Sequence, residues 1–116
     1  MAYVAPHLTS DRETFDFVRN HLLTQKCRSM AMVMDGDMCA YRGQHQAKCA
    51  VGCLISDEHY DSDLEGLPVV DIIELAVRES TGFLPSYGIL LNLQRIHDSW
   101  PLEEWEDQLD QLSSTV

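Results

Sequence analysis

A mainly α-helical single domain, with about five helices around one core and a small β-hairpin near residues 30–42, is what this sequence predicts. Three observations predict it. Apolar residues recur at three- and four-residue steps in several segments, Pro and Gly punctuate the ends of those segments, and an Asp-Gly pair separates two short apolar runs. At 116 residues, 45% of them hydrophobic, the chain has the size and composition of one folded domain, residues 1–116.

The first helix is placed at about residues 11–24. Ser10 and Glu13 have the spacing of a capping box, in which each side chain satisfies a free N–H of the first turn. Phe15, Val18 and Leu22 then align on one face. In Met30 to Arg42, Asp35-Gly36 suits a type I′ turn, because both central residues need positive φ and these two types tolerate it. A two-stranded ribbon there needs helices to lie on, and its methionines read as gap-filling core.

Ala47 to Ile55 reads as a short buried helix. Gly52 inside it costs about 1 kcal/mol against Ala, so it either has a packing reason or marks an irregular segment. Ser56 to Gly66 is polar and acidic, a loop with one helical turn. Pro68 starts the next helix, with Val69, Ile72, Ile73 and Ala76 inward and Thr81-Gly82 at its end. Pro85 begins another, on which Ile89, Leu93, Ile96 and Trp100 form the inner stripe. Pro101 opens the last, with Leu102, Trp105, Leu109 and Leu112 inward and Glu103 and Glu104 favourably placed at its N-terminal dipole.

Charge narrows the function classes. The net charge is −11, and it is uneven: residues 1–58 hold six Lys+Arg against seven Asp+Glu, while residues 59–116 hold two against twelve. Such a surface repels phosphate backbones, which argues against direct nucleic-acid binding. It serves equally as a solubilising face or as a docking surface for a basic partner. No run approaches the roughly 18–20 apolar residues of a membrane span. Met1 to Pro6 lacks the basic start and apolar stretch of a secretory signal, so a cytoplasmic address and reduced thiols at Cys27, Cys39, Cys49 and Cys53 are expected.

Several stretches together carry a resemblance: His21-Leu22-Leu23-Thr24-Gln25, Cys39-Ala40-Tyr41-Arg42-Gly43, and Lys48-Cys49-Ala50-Val51-Gly52-Cys53-Leu54-Ile55. Asp57-Glu58-His59-Tyr60, Leu64-Glu65-Gly66, Leu93-Gln94-Arg95-Ile96-His97-Asp98 and Trp105 add to it. With these, the chain resembles a group of short uncharacterised proteins of tailed phages and prophages, over roughly residues 15–109. The resemblance implies no activity and no catalytic residue. It implies a context in which small phage proteins bind and redirect host proteins, host defence complexes and nucleic-acid-handling machines among them, in the host cytosol.

Three constellations have residue types that could carry chemistry. Cys39, Cys49 and Cys53, with His45 or His59, have the ligand types of a tetrahedral zinc site, but lack the close two-residue cysteine knuckle. No metal and no cofactor is therefore expected. A cysteine nucleophile, Cys39 or Cys53 with His59 or His97, needs a lowered thiol pKa and an oriented base, and nothing in the sequence brings these together. The carboxylates of residues 57–65 depart from the spacing of a calcium loop. Nothing names a reaction, so a small zinc-binding or cysteine-dependent enzyme stands second to a non-enzymatic interaction protein.

Two groups are candidate partner-binding residues. Glu103, Glu106, Asp107 and Asp110 lie off the inner stripe of the last helix and form an acidic face that permits a basic host protein to dock. Tyr41 and Arg42 are of types enriched at binding hot spots, although Arg42 is equally suited to pin the acidic loop to the core, the favoured reading. The last helix's apolar stripe also leaves room for a homodimer.

Overall fold

The computed structural model describes residues 3–33, 36–43, 46–65 and 67–116, with backbone alone at 31–33, 36–39 and 75. The chain is mainly helical. Helix α1 spans Asp11–Gln25, and its first turn is closed from both sides: Ser10 Oγ accepts the Glu13 N–H at 3.1 Å. The reciprocal arm lands one residue earlier than the capping box drew it, because Glu13 Oε1 accepts from the N–H and the hydroxyl of Thr9, both at 2.8 Å. Thr14, Phe15, Val18 and Leu22 form its buried face. It stops where Lys26 turns left-handed (φ 53°) and donates its N–H to the Leu22 carbonyl.

Strands β1 (Met30–Val33) and β2 (Gly36–Cys39) pair antiparallel, with Met30 opposite Cys39 and Val33 opposite Gly36. The Asp35-Gly36 turn expected of a hairpin includes Asp35, which lies outside the described residues. Met30 is half-buried.

Ala47 to Ile55 is not the short α-helix its composition suggested. Cys53 N–H reaches the Cys49 carbonyl in a single α-type turn, followed by a tighter 3₁₀ turn, Gly52–Leu54. Nearly the whole stretch is buried, so its backbone groups need partners, and distant side chains supply them. His21 Nε2 and Gln25 Nε2 donate to the Lys48 carbonyl at 2.8 and 2.9 Å, the Tyr3 hydroxyl donates to the Cys53 carbonyl at 2.6 Å, and Gln94 Oε1 accepts the Val51 N–H at 3.1 Å. Side chains from both ends of the chain thus replace a helical ladder.

The loop that follows carries two 3₁₀ turns, Asp57–His59 and Ser62–Leu64. Helix α2 (Val69–Ile72) runs through a π-turn (Ile73–Val77) into α3 (Arg78–Thr81), one continuous rod. Its expected inner residues Val69, Ile72, Ile73 and Ala76 are buried, and Val77 joins them because the π-turn widens the buried face. Gly82 ends the rod with φ 76°, a conformation that glycine adopts without strain.

Helix α4 spans Tyr87–Ser99 and buries Leu90, Leu93, Ile96 and His97. Its inner stripe is therefore rotated from the one expected: Ile89 is half-buried and Trp100 lies 38% exposed. Pro101 accounts for Trp100. The helix ends at Ser99, Trp100 takes an extended conformation (ψ 145°) and its side chain leaves the helical face. A 3₁₀ turn, Leu102–Glu104, leads into α5, Trp105–Ser113. Trp105 and Leu109 are buried as expected, Leu112 is half-buried, and Leu102 is 42% exposed because it precedes the α-helix proper.

Helix α4 packs against α1, α5 and α2, and α1 packs on α5. Arg12 donates to the carbonyl and hydroxyl of Ser113 at 3.0 and 2.8 Å, and Arg19 pairs with Asp110 at 2.8 Å, along the α1–α5 seam. No described helix is long and apolar enough to cross a membrane.

Candidate functional site

Three regions hold the side chains the sequence singled out. The first is a latch built on Arg42. Its guanidinium pairs with Asp57 (Nη1–Oδ1 2.5 Å), donates from Nη2 to the Ile55 carbonyl at 2.6 Å, and lies 4.6 Å from the Tyr60 ring centroid. Glu65 takes the backbone side: Oε1 accepts the Tyr41 N–H at 2.9 Å, and Oε2 accepts the Arg42 N–H at 3.1 Å and the Tyr60 hydroxyl at 2.6 Å. The Tyr41 hydroxyl donates to the Leu67 carbonyl. Both candidate hot-spot residues are thus part-buried and committed to the acidic loop, the pinning role. Glu65, the acceptor that gathers three donors, had no mark in the sequence beyond its charge. Asp57 also accepts the Tyr3 N–H at 2.7 Å, and these donors hold its carboxyl below the usual carboxylate range.

The second region is the cysteine segment. Cys49 and Cys53 are fully buried, and burial pushes the Cys49 thiol up to about 12 and the Cys53 thiol well above its ordinary value. Cys49 Sγ accepts the Gly52 N–H at 3.2 Å, and Cys53 Sγ donates to the Ala50 carbonyl at 3.1 Å. Thiols in this state are neither nucleophiles nor ready ligands. His59 faces Glu58 (3.1 Å) and His97 faces Asp98 (2.7 Å). Among the described residues, no three His, Cys, Asp or Glu side chains are grouped to hold a metal ion. The Cys39 side chain and His45 lie outside the described residues.

His97 is structural in its geometry. The ring is fully buried, its Nε2 accepts the Ser29 N–H at 2.8 Å, and its Nδ1 lies 2.7 Å from Asp98 Oδ1. An accepting Nε2 places the proton on Nδ1, which donates to the carboxylate. Trp105 packs beside it, ring centroids 5.7 Å apart. His21 is half-buried, and its Nε2 faces the Lys48 carbonyl, so that nitrogen carries the proton.

Burial lowers the His21 pKa from 6.5, ahead of any neighbouring charge. The unfolded chain then binds that proton more readily, so this contribution to stability is complete above about pH 6.5 and is lost as the pH falls. Urea midpoints measured between about pH 5 and pH 8 are expected to drop on the acid side, and His21→Gln, which keeps a donor for the Lys48 carbonyl, is expected to flatten that slope. An unchanged slope in the variant contradicts the assignment.

The third region is the acidic end. Glu103, Glu106, Asp107 and Asp110 are all exposed. Asp110 meets Arg19 across the α1–α5 seam; among the described residues no ion pair reaches the other three. Leu102, Glu103 and Glu106 border a hollow of about 390 Å³ that Leu22, Leu23, Trp105 and Lys26 also line. Leu102 and Trp100, both expected on inner stripes, are exposed: Leu102 beside Glu103 and Glu106, and Trp100 beside Arg95, Gln108 and Gln111. Pro101, which ends α4, was the mark that could have foretold it. No protein-family model, curated protein or solved structure matches the chain.

Proposed function

We propose that this chain is a non-enzymatic interaction protein that docks through its acidic C-terminal end on a basic surface of a partner protein. One observation carries the reading: the exposed Leu102 borders one hollow with Glu103 and Glu106, and among the described residues no ion pair reaches Glu103, Glu106 or Asp107, although Lys26 lines that hollow too. An exposed leucine flanked by carboxylates outside any ion pair among the described residues suits a partner that presents an aliphatic or aromatic side chain flanked by Lys or Arg. The sealed thiols of Cys49 and Cys53 weigh against the cysteine-dependent alternative. With the phage resemblance, the proposed partner is a host protein, a defence complex or nucleic-acid-handling machine, which the chain modulates or inhibits from the host cytosol. The acidic end substitutes there for nucleic acid.

The test compares the wild-type chain with E103K/E106K/D107K as baits in a host lysate. Asp110 is left in place so that the Arg19 pair, and with it the α1–α5 seam, is undisturbed. The expected result is a protein captured by the wild type and lost by the variant, while the two baits melt at similar temperatures. Equal capture by both rejects the acidic-end reading.

A further inference from the structure

The molecule carries a small cationic hollow that shares no lining residue with the acidic end. Arg42 and Lys48 face each other in an isolated antiparallel bridge, and both line a cavity of about 510 Å³ together with Tyr3, Gly43, Gln46 and Asp57. The Tyr3 ring lies beneath both cations, 4.3 Å from Lys48 Nζ and 5.8 Å from the Arg42 guanidinium carbon. In a chain of net charge −11, two cations and one carboxylate around one hollow form a local reversal of sign.

The two cations play different parts. The Arg42 guanidinium is spoken for, Nη1 by Asp57, Nη2 by the Ile55 carbonyl, while Nε is buried without an acceptor among the described residues; it supplies charge. Lys48 supplies donors. Of its three N–H groups, one has an acceptor among the described residues, the Gln46 carbonyl at 3.4 Å, a long and weak bond.

We propose that this hollow binds a small oxyanion, a phosphate or carboxylate group, through the Lys48 donors that have no acceptor among the described residues and through the charge of Arg42. A Lys ammonium binds such groups as a point charge. The like-charged pair is costly when empty, and an anion between the two relieves it. In keeping with this, burial and then the nearby Arg42 hold the Lys48 pKa below 10.5. The surrounding negative surface restricts the ligand to a small one, since a polyanion meets repulsion everywhere else.

The test is a titration of the ¹⁵N-labelled chain with inorganic phosphate and, separately, with acetate, each against sodium chloride of matched ionic strength. The expected result is saturable shifts of the Gly43, Gln46 and Lys48 amides with millimolar affinity for at least one of the two anions, the tighter identifying the group. Lys48→Met is expected to abolish them and Lys48→Arg to keep them. The Lys48 backbone, not its side chain, carries the contacts to His21 and Gln25, so both variants are expected to melt like the wild type without added anion. Shifts no larger than in chloride, or undiminished in Lys48→Met, overturn the proposal. None of these outcomes bears on the acidic end, whose residues line no part of this hollow.

Discussion

Gly52→Ala is expected to destabilise the fold by about 3 kcal/mol or more, a large loss for a chain of this size. A Cβ on Gly52 stands 2.0 Å from the Tyr41 carbonyl oxygen and 2.8 Å from its carbon. Both are backbone atoms, and that backbone is held: the Tyr41 N–H is bound to Glu65 and its hydroxyl to the Leu67 carbonyl. Relief requires moving the latch itself. Replacing Gly by Ala also removes freedom from the unfolded chain, worth about 0.4–1 kcal/mol in the opposite sense, too little to offset the clash. Urea denaturation measures the difference; a loss under about 1 kcal/mol contradicts this packing.

The second large effect belongs to His97. Replacing this ring with Ala is expected to cost about 4 kcal/mol. Removing a fully buried aromatic-sized side chain costs about 3–5 kcal/mol through lost contacts and the cavity left behind. The buried Ser29 N–H loses the acceptor it has among the described residues, which adds a penalty of about 1–3 kcal/mol where water cannot enter. Asp98 and Trp105 each lose a neighbour as well. Since the site relaxes in part, the sum is less than its pieces. His97→Gln restores an acceptor and is expected to recover part of the loss. If the Ala and Gln variants unfold at the same urea concentration as the wild type, His97 is not the staple between Ser29 and α4 described above.

Where local periodicity decides the outcome, the fold was legible. The Phe15, Val18 and Leu22 face of α1, the Val69 to Ala76 face of the α2–α3 rod, and Trp105 with Leu109 on α5 are all buried, because a helix with one apolar stripe has one way to bury it. Residues 47–55 were illegible for the opposite reason. Being apolar on all sides, the segment has no period to read, and its conformation is set by Tyr3, His21, Gln25 and Gln94, which arrive from far along the chain. The exchange of Trp100 for His97 inside the core depends on where α4 ends, and helix ends are the least local feature of a periodic pattern.

The candidate sites divide along the same line. Arg42 and the acidic loop were legible as complementary types, and the structure pairs Arg42 with Asp57. The acidic end was legible as composition, and its carboxylates are exposed. The exposure of Trp100 and Leu102 was not, since Trp100 matched the stripe of one helix and Leu102 that of the next, with Pro101 between them. The Lys48–Tyr3 hollow joins residues 45 positions apart, and a single lysine in an apolar run gave no hint of it.

The account turns on unpaired carboxylates at the C-terminal end acting on a basic partner. The most direct measurement is the dissociation constant for the captured partner as a function of sodium chloride concentration, for the wild type and for E103K/E106K/D107K. Binding that weakens steeply as salt rises, and that the variant loses at low salt, is what the account predicts. An affinity that salt leaves unchanged, or a variant that binds as tightly as the wild type, contradicts it.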